Sequence, residues 1–239
     1  MEGSFTLQGL FNVTKKSKLR IPNCLNHPKY SIFYMSYVIH LSKDKKLKKL
    51  IENGQVFTLK QKKAVYLQLC GSIMSQQLST KVADVIWKRF LALYEKQNPS
   101  PEQILSTPHE TLRSIGLSNA KASYIQNVAR FALDQGMAWQ QLKKMDNEEV
   151  IIHLTQIKGV GRWTTEMLLM FALGREDVFA VDDLGIQQAM INLYKLDNTD
   201  KKKLREEMLR ISSKWSPFRS YACLHLWRWK DNSPAKKEK

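Results

Sequence analysis

The chain has 239 residues, 43% of them hydrophobic and 10% aromatic, which excludes a disordered protein and suffices for one large domain or two small lobes. Its 38 Lys and Arg against 22 Asp and Glu give a formal charge of +16, so nucleic acid is the first partner to consider, with a merely solvated basic surface as the alternative. The three cysteines and five histidines lack zinc or iron–sulfur spacing, and no apolar run reaches the roughly 18 residues of a membrane span.

The first part of the chain divides into an irregular start and a helical continuation. Residues 1–36 show no clean period, and we interpret them as a peripheral or weakly ordered extension. "SKDKKLKKLIENG" predicts a helix capped by Ser42 and stopped by Gly54. "KQKKAVYLQLCGSIM" predicts the next helix, which ends at "SQQLST".

The middle of the chain continues in helices. Apolar residues at three-and-four spacing predict a buried stripe formed by Val82, Val85, Ile86, Phe90 and Leu93. "PSPEQIL" and "TPHETLRSIG" predict two short helices with proline near their starts. "SNAKASYIQNVARFALDQG" predicts a longer one, with Ser118 as its cap and Gly136 as its stop.

The last third completes a helical protein. "MDNEEVIIHLTQI" has an acidic first turn and is expected to bury Val150, Leu154 and Ile157, and "RWTTEMLLMFALG" predicts the following helix. "DVFAV" reads as extended, and three more helices follow it. The pattern predicts an all-α bundle of roughly ten helices, followed by a basic tail over 231–239.

Two glycines stand where a helix should begin, in "QIKGVGRWTTEM". Gly159 and Gly161 join two helices, so they do not form the strand-to-helix turn of a dinucleotide fold, and Thr164 occupies the place of the third glycine. Such a turn leaves bare backbone N–H groups at a helix start, which suits a phosphate. An ordinary tight turn between packed helices explains the same residues equally well.

The segment after this turn carries a family resemblance. "LTQIKGVGRWTTEMLLMFALGREDVFAVDDLG" resembles the helix–hairpin–helix and essential aspartate of the base-excision DNA glycosylase superfamily, and is most similar to its 3-methyladenine DNA glycosylase II branch. The resemblance extends over residues 37–230, where "SQQLSTKVA" matches the family's wedge loop, "GLSNAKASYI" a second family turn and "WSPFRSYACLHLW" its last helix. The N-terminal β-rich lobe of some members has no counterpart, so the chain resembles the compact form. The resemblance implies a two-lobed helical domain over 37–230.

The resemblance implies one group of residues that binds the DNA backbone and a second, the wedge, that enters the base stack. The N–H groups of Gly159, Val160, Gly161 and Thr164 would bind phosphate. The backbone carbonyls of Thr155, Ile157 and Val160 match positions that hold a monovalent cation, Na⁺ or K⁺, in the family; no other cofactor is expected.

Gln77, with Gln76 beside it, would fill the space left by an extruded base. Polar loop residues that cap the next helix are the alternative, and Ser79 and Thr80 already suit that role.

The resemblance also implies a pocket and a catalytic acid. Trp163, Met167 and Trp227 would hold the extruded base, because indoles attract cationic alkylated purines; core packing is the alternative for any Trp, and we assign Trp215 and Trp229 to the core. Asp183 aligns with the essential aspartate and would stabilise the positive charge on the sugar. A simple helix cap is the alternative, and both roles could hold, since capping would fix the direction of the carboxylate.

The reaction implied is hydrolysis without strand cleavage, since Trp163 occupies the position where glycosylases with lyase activity carry a lysine nucleophile. The expected partner is double-stranded DNA containing alkylated bases, met by a monomer without membrane contact, in the nucleoid or cytoplasm of a bacterium or the nucleus of a eukaryote. A glycosylase for another lesion (ethenoadenine, uracil or an oxidised base) is the first alternative, because Met167 replaces an aromatic residue of some relatives. A helix–hairpin–helix protein that only binds DNA is the second.

Overall fold

Helices form all the regular structure of residues 32–54 and 56–232, which are the residues that the computed structural model describes. Thirteen α-helices occur in those ranges: α1 Ile32–Leu41, α2 Lys45–Glu52, α3 Val65–Ser75, α4 Thr80–Ala92, α5 Pro101–Ser106, α6 His109–Ser114, α7 Asn119–Phe131, α8 Trp139–Lys144, α9 Asn147–Leu154, α10 Arg162–Phe171, α11 Leu184–Tyr194, α12 Lys201–Ser212 and α13 Arg219–Asn232. The all-α prediction is confirmed, and "DVFAV" contributes no strand.

The helices group into two compact units. Among the described residues, unit 1 is the continuous segment 60–174, with α3 to α10. Unit 2 combines residues 32–54 and 56–59 with residues 175–232, so that α1 and α2 share a unit with α11, α12 and α13. The predicted division into two lobes is therefore confirmed.

Unit 1 is built around α3, which packs against α4, α7 and α10. This helix is buried on nearly all sides, as expected for an apolar helix at the centre of a bundle. Its buried residues are Val65, Leu67, Leu69, Cys70, Gly71, Ile73 and Met74. The helix begins at Val65 rather than at the predicted Lys60.

Side-chain caps start most of the other helices of unit 1, as the sequence predicts. Ser118 accepts a hydrogen bond from the backbone N–H of Lys121 at the start of α7. Asp146 and Glu149 form a reciprocal capping box at α9. The expected burial of Val150, Leu154 and Ile157 is confirmed as well.

The buried stripe predicted for α4 is wrong in part. Val82 and Val85 are each 46% exposed, and Leu93 is 36% exposed. The buried face of this segment consists of Ala83, Ile86, Trp87, Phe90 and Tyr94. Ile86 and Phe90 belong to both the predicted and the observed stripe. The observed stripe is the buried one because it also contains the large aromatic side chains of Trp87 and Tyr94, whose burial removes more apolar surface from water.

Unit 2 is built around α13, which packs against α11 and α2. Every residue from Ser220 to Trp227 is buried. The ring of Tyr221 stacks on that of Tyr37 from α1 with a centroid distance of 4.1 Å. Helices that are far apart in sequence thus share one core.

The predicted cap of α2 is wrong, because Asp44 and not Ser42 begins the helix. Asp44 Oδ1 accepts hydrogen bonds from the backbone N–H groups of Lys46 and Leu47. Its Oδ2 accepts from the hydroxyl of Tyr194 at 2.7 Å and from Nε1 of Trp215 at 3.2 Å. Burial of Asp44 opposes ionisation, but these hydrogen bonds outweigh it and lower the pKa of the carboxyl.

Helix α1 begins at Ile32, inside the segment assigned to the N-terminal extension. Residues 1–31, with Cys24, and residues 233–239 of the basic tail lie outside the described residues. Both predicted domain boundaries stay predictions. None of the helices in the described ranges combines the length and the apolar character that crossing a bilayer requires.

Candidate active site

The glycine turn connects α9 to α10 inside unit 1, and its two glycines have different reasons to be glycine. Gly159 has φ +102°, and a Cβ atom built there would lie 2.2 Å from Cγ of Tyr124. Gly161 is the N-cap of α10 and has no side-chain cap, and a Cβ atom built there would have no neighbour within 4 Å. Gly159 thus allows the turn to pack on the Tyr124 ring, whereas Gly161 leaves open space before the first turn of α10.

The wedge loop, defined here as residues 76–79, follows α3 in the same unit. Gln77 is exposed and has φ +58°, the left-handed region that side-chain-bearing residues rarely occupy. Gln76 is partly buried and donates from Nε2 to Oγ1 of Thr164 at 3.4 Å. Ser79 caps α4 by accepting from the N–H of Val82. Capping is therefore performed by Ser79, which leaves Gln77 without that role; Gln77 is exposed, and the adjacent Leu78 is 37% exposed.

The predicted pocket residues of unit 1 lie on α10. Trp163 is partly buried, and Met167 follows it by four residues, which places both on one face of the helix. Met167 is 3% exposed and Thr164 is 4% exposed. The hydroxyl of Thr164 is thus engaged with Gln76 inside the protein, and only the backbone of Thr164 remains a candidate for phosphate binding.

Unit 2 brings together the predicted catalytic acid and one predicted pocket residue. Asp183 is the N-cap of α11, and its Oδ1 accepts from the N–H of Ile186 at 2.8 Å. The same oxygen accepts from Nε1 of Trp227, on α13, at 2.8 Å. Asp183 is partly exposed, whereas Trp227 is 8% exposed. The capping role considered for Asp183 is confirmed, and the cap fixes the direction of the carboxylate.

The neighbouring acid has a different environment. Asp182 is exposed and pairs through Oδ1 with Nε of Arg205 at 3.3 Å. Both side chains are about half exposed, so water screens this pair. Of the two acids in "FAVDDLG", Asp183 is the one that is oriented by groups inside the fold.

Two residues that contact predicted site residues were missed in the sequence: Gly185 in unit 2 and Tyr124 in unit 1. A Cβ atom built on Gly185 would lie 3.0 Å from Oδ1 of Asp183 and 3.1 Å from Cδ1 of Trp227. The glycine after an acidic helix start was the available signal for Gly185. No sequence signal pointed to the contact between Tyr124 and the turn, because the two are 35 residues apart.

The remaining candidates are assigned as follows. Trp215 is 1% exposed and confirmed as a core residue, and Trp229 is partly buried. The basic run of α2 is exposed at Lys45, Lys46, Lys48 and Lys49. Within residues 32–54 and 56–232, no three His, Cys, Asp or Glu side chains converge as a metal site, and Cys70 and Cys223 are buried free thiols.

Comparisons with known proteins identify the family to which this fold belongs. The family model described as HhH-GPD superfamily base excision DNA repair protein matches residues 70–214. The chain is 36% identical over 186 residues to DNA-3-methyladenine glycosylase 1 of Schizosaccharomyces pombe, a match covering 77% of this chain and 80% of that protein.

Two solved structures are similar over most of the fold. One is the Schizosaccharomyces pombe 3-methyladenine DNA glycosylase in complex with abasic DNA, with a TM-score of 0.72, 34% identity, and coverage of 85% of this chain and 100% of that chain. The other is a DNA-3-methyladenine glycosidase from Bacillus halodurans, with a TM-score of 0.71, 33% identity, and coverage of 87% and 91%.

Proposed function

The chain belongs to the HhH-GPD superfamily of base excision DNA repair proteins, and from this membership we propose that it is a monofunctional DNA glycosylase for alkylated purines of the 3-methyladenine and 7-methylguanine type. It extrudes the damaged base from duplex DNA and hydrolyses the N-glycosidic bond, which leaves an abasic site and starts base-excision repair. The observation that carries the chemistry is the carboxylate of Asp183, held at one oxygen by Trp227 and the start of α11.

Asp183 is the catalytic residue of this proposal. As the N-glycosidic bond breaks, its electron pair moves to the base nitrogen and positive charge develops on the deoxyribose. An oriented carboxylate stabilises that charge and directs the attacking water, whose oxygen bonds to the anomeric carbon as its proton is lost. A cationic alkylated purine leaves as a neutral base, so it is a good leaving group.

Base extrusion is assigned to the wedge loop and the glycine turn. The exposed Gln77 fills the space in the stack, and the apolar Leu78 beside it suits contact with the neighbouring bases. The backbone N–H groups of Gly159, Gly161 and Thr164 bind a phosphate of the same strand, whereas the N–H of Val160 already donates to the carbonyl of Ile157 and is not available. The net charge of +16 adds attraction that does not depend on base sequence.

The extruded base stacks on the aromatic and sulfur-bearing side chains predicted for the pocket. Trp163 offers an electron-rich face, and cation–π attraction to an alkylated purine contributes about 0.5–2 kcal/mol. Met167 lies four residues after Trp163 on the same face of α10. In unit 2 the proposed pocket residue is Trp227, whose indole N–H donates to Asp183. Because Trp163 stands where a lyase would carry its lysine, no Schiff base forms there.

A monovalent cation on the hairpin is compatible with the donors that the turn offers. The carbonyls of Thr155, Ile157 and Val160 are uncharged oxygen ligands, which suit Na⁺ or K⁺. The Ile157 carbonyl accepts one hydrogen bond, from the N–H of Val160, and a carbonyl oxygen has a second lone pair. When bound, the cation would add positive charge near the phosphate. No other cofactor is part of the proposal.

The decisive experiment incubates the protein with methylated duplex DNA and identifies the released bases by chromatography. We expect free methylpurines and no strand cleavage. Asp183→Asn should bind the duplex as the wild type does and lose at least about a hundredfold in base release. Asp182→Asn is the matched control, because it removes an adjacent acid that pairs with Arg205, and it should change release less than about twofold.

Each other outcome contradicts a named part of the proposal. Turnover retained by Asp183→Asn would remove this residue from the mechanism. Release of uracil, ethenoadenine or an oxidised base in place of methylpurines would identify a glycosylase for another lesion. Binding without release of any base would identify a DNA-binding protein that is not an enzyme.

The protein is expected in the part of the cell that contains its DNA substrate. The proposal places the protein with the chromosomal DNA, in the nucleoid of a bacterial cell or the nucleus of a eukaryotic one. A single chain carries every residue named above, so we propose that a monomer acts.

A further inference from the structure

One face of α7 contacts both segments that the proposed function assigns to DNA. Lys121, Tyr124 and Asn127 are spaced by three residues, so their side chains leave the helix on the same side. All three lie in unit 1, together with the wedge loop and the glycine turn. Their segment, "GLSNAKASYI" and the residues just after it, has no role in the reaction described so far.

Lys121 holds the wedge loop. Its Nζ donates to the carbonyl of Met74 at 3.0 Å and to that of Gln76 at 2.6 Å. These carbonyls belong to the last turn of α3 and to the residue that follows it, where backbone acceptors have no partner within the helix. Partial burial lowers the pKa of the Lys121 amine, and both acceptors are uncharged.

The residue next to this anchor is Gln77, the proposed wedge. Its φ of +58° is a conformation that the surrounding contacts must maintain. The Lys121 hydrogen bonds fix the backbone directly before Gln77 and thereby restrict the direction in which its side chain leaves the loop. An apolar side chain at position 121 would leave both carbonyls without this donor.

Tyr124 and Asn127 hold the other segment. The Tyr124 ring lies against Gly159, where a Cβ atom would be 2.2 Å from Cγ of the ring. Asn127 donates from Nδ2 to the carbonyl of Lys158 at 3.2 Å. One rigid helix therefore contacts the wedge loop with its first turn and the glycine turn with its second and third.

We propose that this row on α7 sets the position of the wedge loop relative to the phosphate-binding turn, and that Lys121 is a positioning residue for base extrusion and not for bond cleavage. The inference rests on the proposed function. A wedge must enter the stack at a fixed distance from the phosphate that is gripped, since small misplacements of positioned groups cost large factors in rate.

The test compares one lesion in two pairing contexts. A duplex carries a single 7-methylguanine opposite either cytosine or a tetrahydrofuran abasic analogue, which has no base to pair with and so makes extrusion easier. Single-turnover release by Lys121→Met should fall about tenfold or more opposite cytosine and less than about twofold opposite the analogue. Lys121→Arg, which keeps a charged donor, should restore most of the rate opposite cytosine.

Control measurements distinguish a positioning role of Lys121 from a general effect of its charge and from a folding defect of the variant. Lys96→Met removes an exposed lysine of the same unit and should leave both rates unchanged. A lysine that binds a phosphate would lower the slope of log affinity against log salt by about 1, whereas a positioning lysine leaves the slope unchanged. Where Lys121→Met does not fold, as judged by its thermal transition, Asn127→Ala tests the same row and should show the same difference between contexts.

The outcomes distinguish this inference from the proposed function. Equal losses in both contexts, no loss opposite cytosine, or a reduced salt slope would each overturn the assignment of Lys121. A wild-type protein that releases no methylpurine from either duplex would overturn the proposed function itself.

Discussion

A single atom, Oδ1 of Asp183, accepts hydrogen bonds from two N–H groups that lie far apart in the sequence. The first comes from its own helix and the second from Trp227, 44 residues later. Two donors on one oxygen restrict rotation of the carboxylate and present its plane in one orientation. Trp227 therefore helps to orient the acid that we propose as catalytic.

Gly185 suits this arrangement, because a Cβ atom at this position would lie unusually close to the Asp183–Trp227 hydrogen bond. In Gly185→Ala the new methyl group would lie 3.0 Å from Oδ1 of Asp183 and must displace the carboxylate or the indole. Alanine is also the better helix former by about 0.8–1 kcal/mol. We expect base release to fall about tenfold or more while thermal stability is kept or rises.

Single-turnover kinetics and the thermal transition of the same preparation check this prediction together. Unchanged release would show that the side chains adjust at no cost to catalysis. Loss of both release and stability would indicate a folding defect and not a displaced carboxylate.

At the scale of elements, the two glycines of the hairpin should respond differently to the same substitution. Gly159→Ala forces φ +102° on a residue with a Cβ and places that atom inside the Tyr124 ring, so we expect a loss of about 2–4 kcal/mol in the free energy of unfolding. Gly161→Ala meets open space and should lose less than about 1 kcal/mol, mainly because alanine is a poor N-cap.

Denaturant titration measures the two free energies, and binding to undamaged duplex gives the second half of the prediction. Gly161→Ala should weaken DNA binding, because its methyl group occupies the space through which a phosphate approaches α10. Equal stability of the two variants would contradict the different roles assigned to these glycines.

Helix positions could be predicted from the sequence because caps and glycines are local signals, as at Ser118, Asp146 and Gly136. The face of a helix that is buried was harder to predict. Ile86 and Phe90 fit two possible stripes of α4, and only the burial of Trp87 and Tyr94 in the folded protein selects one of them. Asp44 outcompetes Ser42 as a cap because Tyr194 and Trp215, distant in sequence, also bind its carboxylate.

The site residues also divide into those that a local motif indicates and those that are defined only by contacts between distant parts of the chain. The family motif indicated Asp183 and Trp227 separately, but the bond between them depends on how α11 and α13 pack. Lys121 carried no local signal at all, because its partners lie 45 and 47 residues earlier. Contacts of this range follow from tertiary structure and not from spacing.

For the molecule as a whole, one buried histidine makes stability depend on pH. His225 is 3% exposed, its Nε2 has no hydrogen-bond partner among the described residues, and the edge of its ring contacts Phe57. Burial, with a smaller contribution from the charge of Arg228, lowers the pKa of His225 from 6.5 to about 3. Between these values the unfolded chain binds a proton that the folded protein does not, so stability falls as the pH falls below 6.5.

The expected loss is about 2 kcal/mol in the free energy of unfolding between pH 7.5 and pH 5. Denaturant titrations at the two pH values measure it. His225→Phe, which keeps a ring against Phe57 and cannot be protonated, should remove about that amount of the difference. The same pH dependence in the variant would assign the effect to other groups. The carboxyl pKa values of Asp44 and Asp177 are also lowered in the folded protein. Protonation of these carboxylates destabilises the folded state only at more acidic pH, below the ordinary Asp pKa of 3.8.

Unit 2 is assembled from two stretches of chain with all 115 described residues of unit 1 between them. During translation, α1 and α2 leave the ribosome first, yet their partners α11 and α13 are synthesised only after those 115 residues. At cellular elongation rates this interval is roughly 6 to 23 seconds, long enough for the intervening segment to fold by itself. The apolar face of α2, with Leu47 and Ile51, cannot pack against α13 on the nascent chain until α13 has been synthesised. The hydrogen bond from Trp227 to Asp183 can therefore form only after all of the described part of unit 1 has been synthesised.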